Sequence, residues 1–114
     1  MKYKMTLYEA PFNSIKSGRK TVEVRLNDDK RRQLKVGDSI EFTKEASTLE
    51  RLTVEIVALT VYPSFKAMYT HVPAQAFNTE GLTLADMLAQ TYDIYTPEQE
   101  SQWGTLAISI KLID

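Results

Sequence analysis

The sequence of 114 residues has no cysteine, one histidine and one tryptophan. Without cysteine the chain can form no disulfide, no thiolate metal site and no thiol nucleophile. His71 alone cannot complete a typical zinc site, so we expect no metal and no cofactor. No apolar run reaches the length of a signal or membrane-spanning segment, which favours a cytoplasmic protein that does not associate with a membrane.

The composition is that of an ordinary globular protein. Hydrophobic residues make up 43% of the chain and charged residues 25%, which is enough apolar surface to build a core without covalent staples. No internal repeat, low-complexity tract or linker interrupts the sequence. Residues 1–114 are therefore predicted to form a single domain.

Positive charge is concentrated in one segment of this weakly acidic chain. The stretch from Lys16 to Lys35 holds eight Lys or Arg residues against three Asp or Glu residues, for a net charge of +5, while the rest of the chain carries −6. A basic segment on an otherwise acidic protein favours a local anionic ligand over indiscriminate binding to polyanions. The structural alternative is a solvated cationic loop.

Alternation of polar and apolar residues predicts five or so short strands. The first lies near residues 3–7 and the last runs through 106–112. Between them, strands are expected around 40–42 and over 52–62, joined by a hairpin loop at Lys44–Arg51. The longer of these should place four apolar residues on its inner face: Leu52, Val54, Ile56 and Ala58.

The strand predicted at Thr21–Leu26 has two contrasting faces. Three apolar residues, Val22, Val24 and Leu26, alternate with polar ones and should face the core. The other face carries a hydroxyl, a carboxylate and a guanidinium, from Thr21, Glu23 and Arg25. Such a polar face suits ligand contact, although Glu23 can equally pair with a nearby cation and only brace the fold.

Helical signals appear after the first strand and again before the last. A short helix is expected over Pro11–Ser17, because proline suits a first helical turn. Apolar residues recur at helical spacing over 65–72, and the segments Thr83–Asp86 and Thr96–Gln99 have the pattern of capping boxes. The predicted fold class is α+β, a barrel of about five to six strands with a short helix after strand 1 and two or three helices before the last strand.

Three ordered motifs carry a family resemblance: Ala10-Pro11-Phe12-x-x-Ile15-x-x-Gly18, Gly18-Arg19-Lys20-Thr21-x-Glu23-x-Arg25 and Lys30-Arg31-x-x-Leu34-x-x-Gly37-Asp38-x-Ile40-x-Phe42. Together they resemble the ASCH domain, a branch of the PUA-like β-barrels, over the whole chain. The resemblance implies a barrel with a cleft beside the first helix and an RNA- or nucleotide-related ligand. It favours a small bacterial single-domain type.

One subgroup that the sequence resembles hydrolyses N4-acetylcytidine. Its members use a lysine in the second motif, a threonine three residues later and a glutamate before a helix of the second half. Lys20 matches the lysine and Glu80 falls at the glutamate position, but Glu23 stands where those members have the threonine. The resemblance therefore gives Lys20, Glu23 and Glu80 as candidate catalytic residues.

The candidate ligand-binding residues come from the same segment and are Arg19, Lys20, Thr21, Glu23 and Arg25. Arginine offers a planar fork to a phosphate or a base edge, and lysine a compact charge. The first hypothesis is a module that binds RNA, a nucleotide or a modified nucleoside. The second is a hydrolase acting on an acylated nucleoside or on RNA, and the third is a protein-interaction domain.

Aromatic residues add less to this interpretation. Tyr69, Tyr92 and Tyr95 lie at or near helical core spacing and are expected to pack in the interior. Trp103 precedes Gly104 at a strand entrance, where it can either plug the end of the barrel or stack on a base.

Overall fold

The fold is built on one five-stranded sheet that curls into a half-barrel. The structure is a computed structural model that describes residues 1–45 and 47–113. Its strands are β1 (Lys2–Leu7), β2 (Val22–Leu26), β3 (Ser39–Lys44), β4 (Ser47–Tyr62) and β5 (Thr105–Leu112). They lie in the order β1-β3-β4-β5-β2, with β1 and β3 parallel and the other pairs antiparallel. The first two strands of the sequence thus form the two edges of the sheet.

The helices agree with the capping signals in the sequence, and the α+β prediction is confirmed. They are α1 (Glu9–Lys16), α2 (Phe65–His71), α3 (Ala74–Phe77), α4 (Leu84–Tyr92) and α5 (Pro97–Trp103). Capping boxes at Thr83–Asp86 and Thr96–Gln99 begin α4 and α5. The short helix α3 was not predicted, so four helices rather than two or three lie between β4 and β5 in the described part of the chain. Among these residues, no helix is long and apolar enough to cross a membrane.

The main core lies on one face of the sheet. Phe12 and Ile15 of α1 are 1% and 2% exposed and pack against strand residues that include Ile40, Phe42 and Ile108. These side chains fall at alternate positions of their strands, as the sequence pattern predicts. Helix α1 therefore lies against the same sheet face as the barrel core.

A second, smaller core packs against β2, and it changes which residues of this strand face the main core. Val22 packs with Met68, Phe77 and Met87 of the helices, and Val24 lies against the same cluster. In the β2–β5 register Glu23 pairs with Ile108, and directly paired residues project on the same side of a sheet. The prediction that the valines face the core holds only for this helical core. Glu23 and Arg25 project on the face that carries the main core.

The predicted loop at Lys44–Arg51 is wrong over most of its length. Strand β4 already begins at Ser47, and Arg51 pairs with Thr43; within the predicted loop, Ala46 lies outside the described residues. A register shift between Ile56 and Ala58 then places Leu59, rather than Ala58, beside Ile108 and against the main core. A β-bulge inserts one residue and so exchanges the two faces beyond it.

Candidate functional site

A cavity of about 640 Å³ lies between the two edges of the sheet and the helices. One wall comes from the end of β1 and from α1, the second from β2 and its approach, and the third from α3, α4 and the segments around them. Lys20, Glu23 and Arg25 all line it. The structure therefore brings together the three charged residues at the centre of the predicted site.

These three side chains form a nearly buried ion triad. Lys20 Nζ lies 2.9 Å from Glu23 Oε1, and Arg25 Nη2 lies 2.9 Å from Glu23 Oε2. The Glu23 side chain is 5% exposed, and the two cations are each 13% exposed. Arg25 also donates from Nη2 to the backbone oxygen of Thr6 at 3.2 Å, which joins β2 to β1 across the open side of the sheet. The triad thus holds the two sheet edges together at the cavity.

The protonation state of Glu23 follows from two opposing effects. Burial raises the pKa of Glu23, but Lys20 and Arg25 lower it by more, so this pKa lies below its usual value of 4.5. Glu23 is ionised at neutral pH. Both of its carboxylate oxygens already accept from a cation, so this group is poorly suited to take a proton from a substrate.

Two tyrosines from the helical side of the cavity, Tyr69 and Tyr95, also line it. Tyr69 and Tyr95 both stack on the fully buried Phe65, at centroid distances of 6.3 and 5.5 Å. Tyr69 shares a 2.7 Å hydrogen bond with Thr91. Burial is the main cause that raises the pKa of Tyr95, while Arg25 and Arg31 lower it. The Tyr95 hydroxyl is therefore protonated at neutral pH.

Arg31 supplies a third cation to the cavity. Its Nη1 lies 3.2 Å from Asp28 Oδ2, and its side chain is 18% exposed. The Arg31 Nε atom is buried and has no hydrogen-bond partner among the described residues. The charged groups that line the cavity are Lys20, Glu23, Arg25, Arg31 and Glu45. The described lining therefore carries three positive and two negative charges.

The other predicted site residues lie elsewhere. Arg19 is exposed and donates from Nε to the Ser17 hydroxyl at 3.0 Å. Thr21 is exposed, and its backbone N–H donates to Ala76 at 2.8 Å. Glu80 is exposed and does not line the cavity, although Thr79 and Leu82 on either side do. The structure thus does not bring Glu80 together with Lys20 and Glu23 in the cavity.

Several cations of the basic segment make contacts within the protein itself. Arg32 donates from Nε to the backbone oxygen of Asn27 at 2.7 Å, and its guanidinium lies 5.6 Å from the centre of the Trp103 ring. Trp103 is half-buried and belongs to neither core cluster nor the cavity lining. Neither alternative for Trp103, barrel plug or base platform in this cavity, describes its place beside Arg32.

Several cavity residues were missed from the sequence. Tyr69 and Tyr95 were expected to pack only in the interior, and they do pack on Phe65, but each also lines the cavity. Arg31 was counted in the basic segment without being singled out. Arg31 also stands in the third motif, but no local motif relates it to Tyr69 and Tyr95, because the three meet only when the helices pack over β2. Among the described residues no group of three or more His, Asp or Glu side chains is placed to hold a metal ion.

Comparisons with known proteins agree with this architecture. The family model of the ASCH domain matches residues 5–114. The chain is similar to the hypothetical protein PH0355, at 34% identity and a TM-score of 0.88 over 99% of this chain and 100% of that one. It is also similar to protein PF0455 from Pyrococcus furiosus, at 30% identity and a TM-score of 0.77 over 100% and 99% of the two chains. A search of the curated proteins found no match.

A more distant likeness supports the fold alone. The ASCH protein from Zymomonas mobilis is 14% identical, with a TM-score of 0.67 over 96% of this chain and 66% of that one. The chain belongs to the ASCH domain family, and its fold is of the PUA-like type. The family expected from the three motifs is therefore confirmed.

Proposed function

We propose that this ASCH domain is a binding module whose cavity holds one nucleotide or modified nucleoside. The observation that carries the proposal is the combination of aromatic and cationic side chains in one cavity. Tyr69 and Tyr95 line the same cavity as the ion triad, and the described lining has one surplus positive charge. A base suits the tyrosine rings, and a phosphate or ribose suits the triad.

The size and chemistry of the cavity support this proposal. Small-molecule sites commonly enclose 300–1,000 Å³ and combine an apolar lining with a few placed polar groups. The cavity has about 640 Å³, and aromatic side chains give bases a stacking surface that tolerates different sequences. Gln90, which also lines the cavity, offers polar atoms to the edge of a base. The triad then orients the ligand by charge rather than through a free cationic loop.

Removing the charge of Lys20 tests the electrostatic part of the proposal. In Lys20→Met the apolar stem remains, but the cavity loses its surplus charge. We expect this variant to bind a nucleoside 5′-monophosphate about ten-fold more weakly at low salt, and the loss to shrink as salt is raised. Isothermal titration of the four ribonucleoside monophosphates at two salt concentrations measures both effects.

Lys30→Met is the matched control, since Lys30 is an exposed cation of the same segment and does not line the cavity. It should bind like the parent protein. Equal losses in the two variants would show that the basic segment acts only as a diffuse charge. If Lys20→Met bound the nucleotides as tightly as the parent protein, the triad would not be part of the ligand site.

The hydrolase alternative leads to a separate expectation, that N4-acetylcytidine is turned over slowly or not at all. Both Glu23 oxygens are engaged by cations, and Glu80 is exposed away from the cavity lining. Neither carboxylate is placed to activate a water beside Lys20. Release of acetate by the parent protein, with Lys20→Met as the blank, measures this activity. Robust turnover that depends on Lys20 would replace the binding module with an enzyme.

A further inference from the structure

Strand β4 is much longer than its neighbour β3. It has 16 residues, whereas β3 has six and pairs with β4 only as far as Glu55. From residue 57 to residue 62 the strand lies beside β5, and among the described residues no strand pairs with its other side. No backbone hydrogen bond from a loop or turn of the described chain reaches this segment either. We call the side of residues 57–62 that faces away from β5 the free edge of β4.

The alternation of β5 shows which backbone groups the free edge presents. The N–H of Ile110 donates to the backbone oxygen of Thr21 at 2.9 Å, so Ile110 turns its backbone groups toward β2. Since this direction alternates along a strand, the even-numbered residues of β5 all face β2. Leu59 and Val61 pair with two of these residues. Their own N–H and C=O groups therefore point away from β5, and the free edge offers two donors and two acceptors.

The side chains along the free edge are exposed and carry no charge. Val61 is 59% exposed and Val57 is 46% exposed, and Thr60 is exposed between them. No Lys, Arg, Asp or Glu occurs from Ile56 to Phe65. Soluble proteins commonly protect an open strand edge with charged side chains, with proline or with a covering loop. An edge without such protection is suited to pairing with another strand.

We propose that the free edge of β4 pairs with the same edge of a second copy of this chain, antiparallel and about a two-fold axis at Thr60. In this register Leu59 lies opposite the partner's Val61. Both residues turn their backbone groups outward, so each such pair exchanges both of its hydrogen bonds. The two five-stranded sheets then join into one continuous sheet across the dimer.

The lack of charge favours a second copy over an unrelated strand. In a contact between two identical surfaces, each side chain near the axis meets its own copy. Like charges directly opposite one another destabilise a strand pair, and this edge has none. At the axis, Thr60 meets the partner's Thr60, and paired threonines can form hydrogen bonds across strands.

The length of the free edge also fits a two-fold contact. With the axis at Thr60, residue 57 lies opposite the partner's Pro63. Pairing thus runs from the β-bulge between Ile56 and Ala58 to a proline, which has no N–H with which to extend it. The partner's Leu59 lies on the same face as Val61 and covers this exposed side chain.

The proposed contact is separate from the proposed nucleotide site. None of residues 57–62 lines the cavity that holds the ion triad. Each copy therefore keeps its own cavity, and Lys20→Met should associate like the parent protein. Loss of nucleotide binding and loss of association can in this way be distinguished.

Sedimentation velocity from about 1 μM to about 1 mM tests the proposal, because a short contact gives weak association. The mass of the parent protein should rise with concentration from 13.0 kDa toward twice that value. Thr60→Lys and Thr60→Glu each place like charges at the axis. We expect each to need at least about ten-fold higher concentration for half-association. An equimolar mixture of the two variants should recover the dimer, since opposite charges then meet.

Thr53→Lys is the matched control, because it adds the same charge to the same face of β4. Thr53 pairs with Glu41 of β3, and its backbone oxygen accepts from the Ile113 N–H on the other side at 3.0 Å. Since neither of its sides is free, this variant should associate like the parent protein. Thermal melting verifies that all variants fold.

Three results would overturn the proposal. A parent protein that stays monomeric at every concentration would leave the free edge to a strand of a different protein. Equal weakening by Thr53→Lys, or no weakening by either Thr60 variant, would place the dimer contact elsewhere. A mixture of the Thr60 variants that remains monomeric would exclude a two-fold axis at this residue.

Discussion

Replacing Glu23 with glutamine will lower the free energy of unfolding by about 3 kcal/mol at neutral pH, since removing one member of a buried ion pair leaves uncompensated charge. In Glu23→Gln, Lys20 and Arg25 remain only 13% exposed and lose the carboxylate between them. The amide can still accept one hydrogen bond but carries no charge. Urea titration of parent and variant measures the difference.

The same comparison has a defined pH dependence. The pKa of Glu23 is lowered in the folded protein from a usual value of 4.5. A carboxylate with a lowered folded-state pKa stabilises the protein above its unfolded-state pKa, and this stabilisation is lost as the pH falls through the folded-state value. The difference between parent and variant should therefore be complete well above pH 4.5 and shrink at lower pH.

Glu41→Gln is a suitable control for this experiment. Glu41 pairs with Lys2 at 3.1 Å, and the lysine is 52% exposed, so solvent screens the interaction. The effect of this variant on the unfolding free energy should be much smaller. If Glu23→Gln were as stable as the parent, or if its deficit grew as the pH fell, the ion triad would not be what holds β2 to β1.

Replacing Glu100 with alanine will cost about 3 kcal/mol of stability, because two hydrogen bonds to a buried carboxylate are lost. Glu100 is 8% exposed; its Oε2 accepts from the Phe65 backbone N–H and its Oε1 from the Tyr92 hydroxyl, both at 2.7 Å. The hydrogen bond to Glu100 is the main cause that raises the pKa of Tyr92, to about 12. One side chain of α5 thus holds both α2 and α4.

The Glu100→Ala variant can be compared with Glu98→Ala in the same helix. Glu98 is exposed, so its removal should change the melting temperature little. Glu100→Ala should also weaken nucleotide binding, because Phe65 supports Tyr69 and Tyr95 in the cavity wall. If Glu100→Ala had the same melting temperature as the parent protein, packing alone would hold these helices together.

The sequence predicted the parts of the fold that depend on local pattern. The capping boxes at Thr83 and Thr96 need only residues three positions apart, and both are present. The two faces of β2 could not be assigned from alternation. A buried valine looks the same in the main core and in the helical core, and only pairing with β5 placed Glu23 beside Ile108.

In the candidate site, too, only the residues that are close in sequence could be grouped from the sequence. Lys20, Glu23 and Arg25 could be grouped because they share one short segment, and they converge as that grouping implies. Tyr95 and Arg31 are distant in sequence from each other, so no spacing rule relates them. The bulge that puts Leu59, and not Ala58, on the core face could not be predicted from the alternation either. The apolar run from Ile56 to Leu59 fits either register.

The sheet order also sets when the cavity can form during synthesis. Strand β2 pairs with β5, which is the last of the five strands to be made and lies between β4 and β2. The nascent chain therefore carries Glu23 and its two cations in water until β5 arrives, and closing so long a loop slows this step. A chain released before Thr105 would lack the partner that fixes β2, and would have no charged wall with which to hold a ligand.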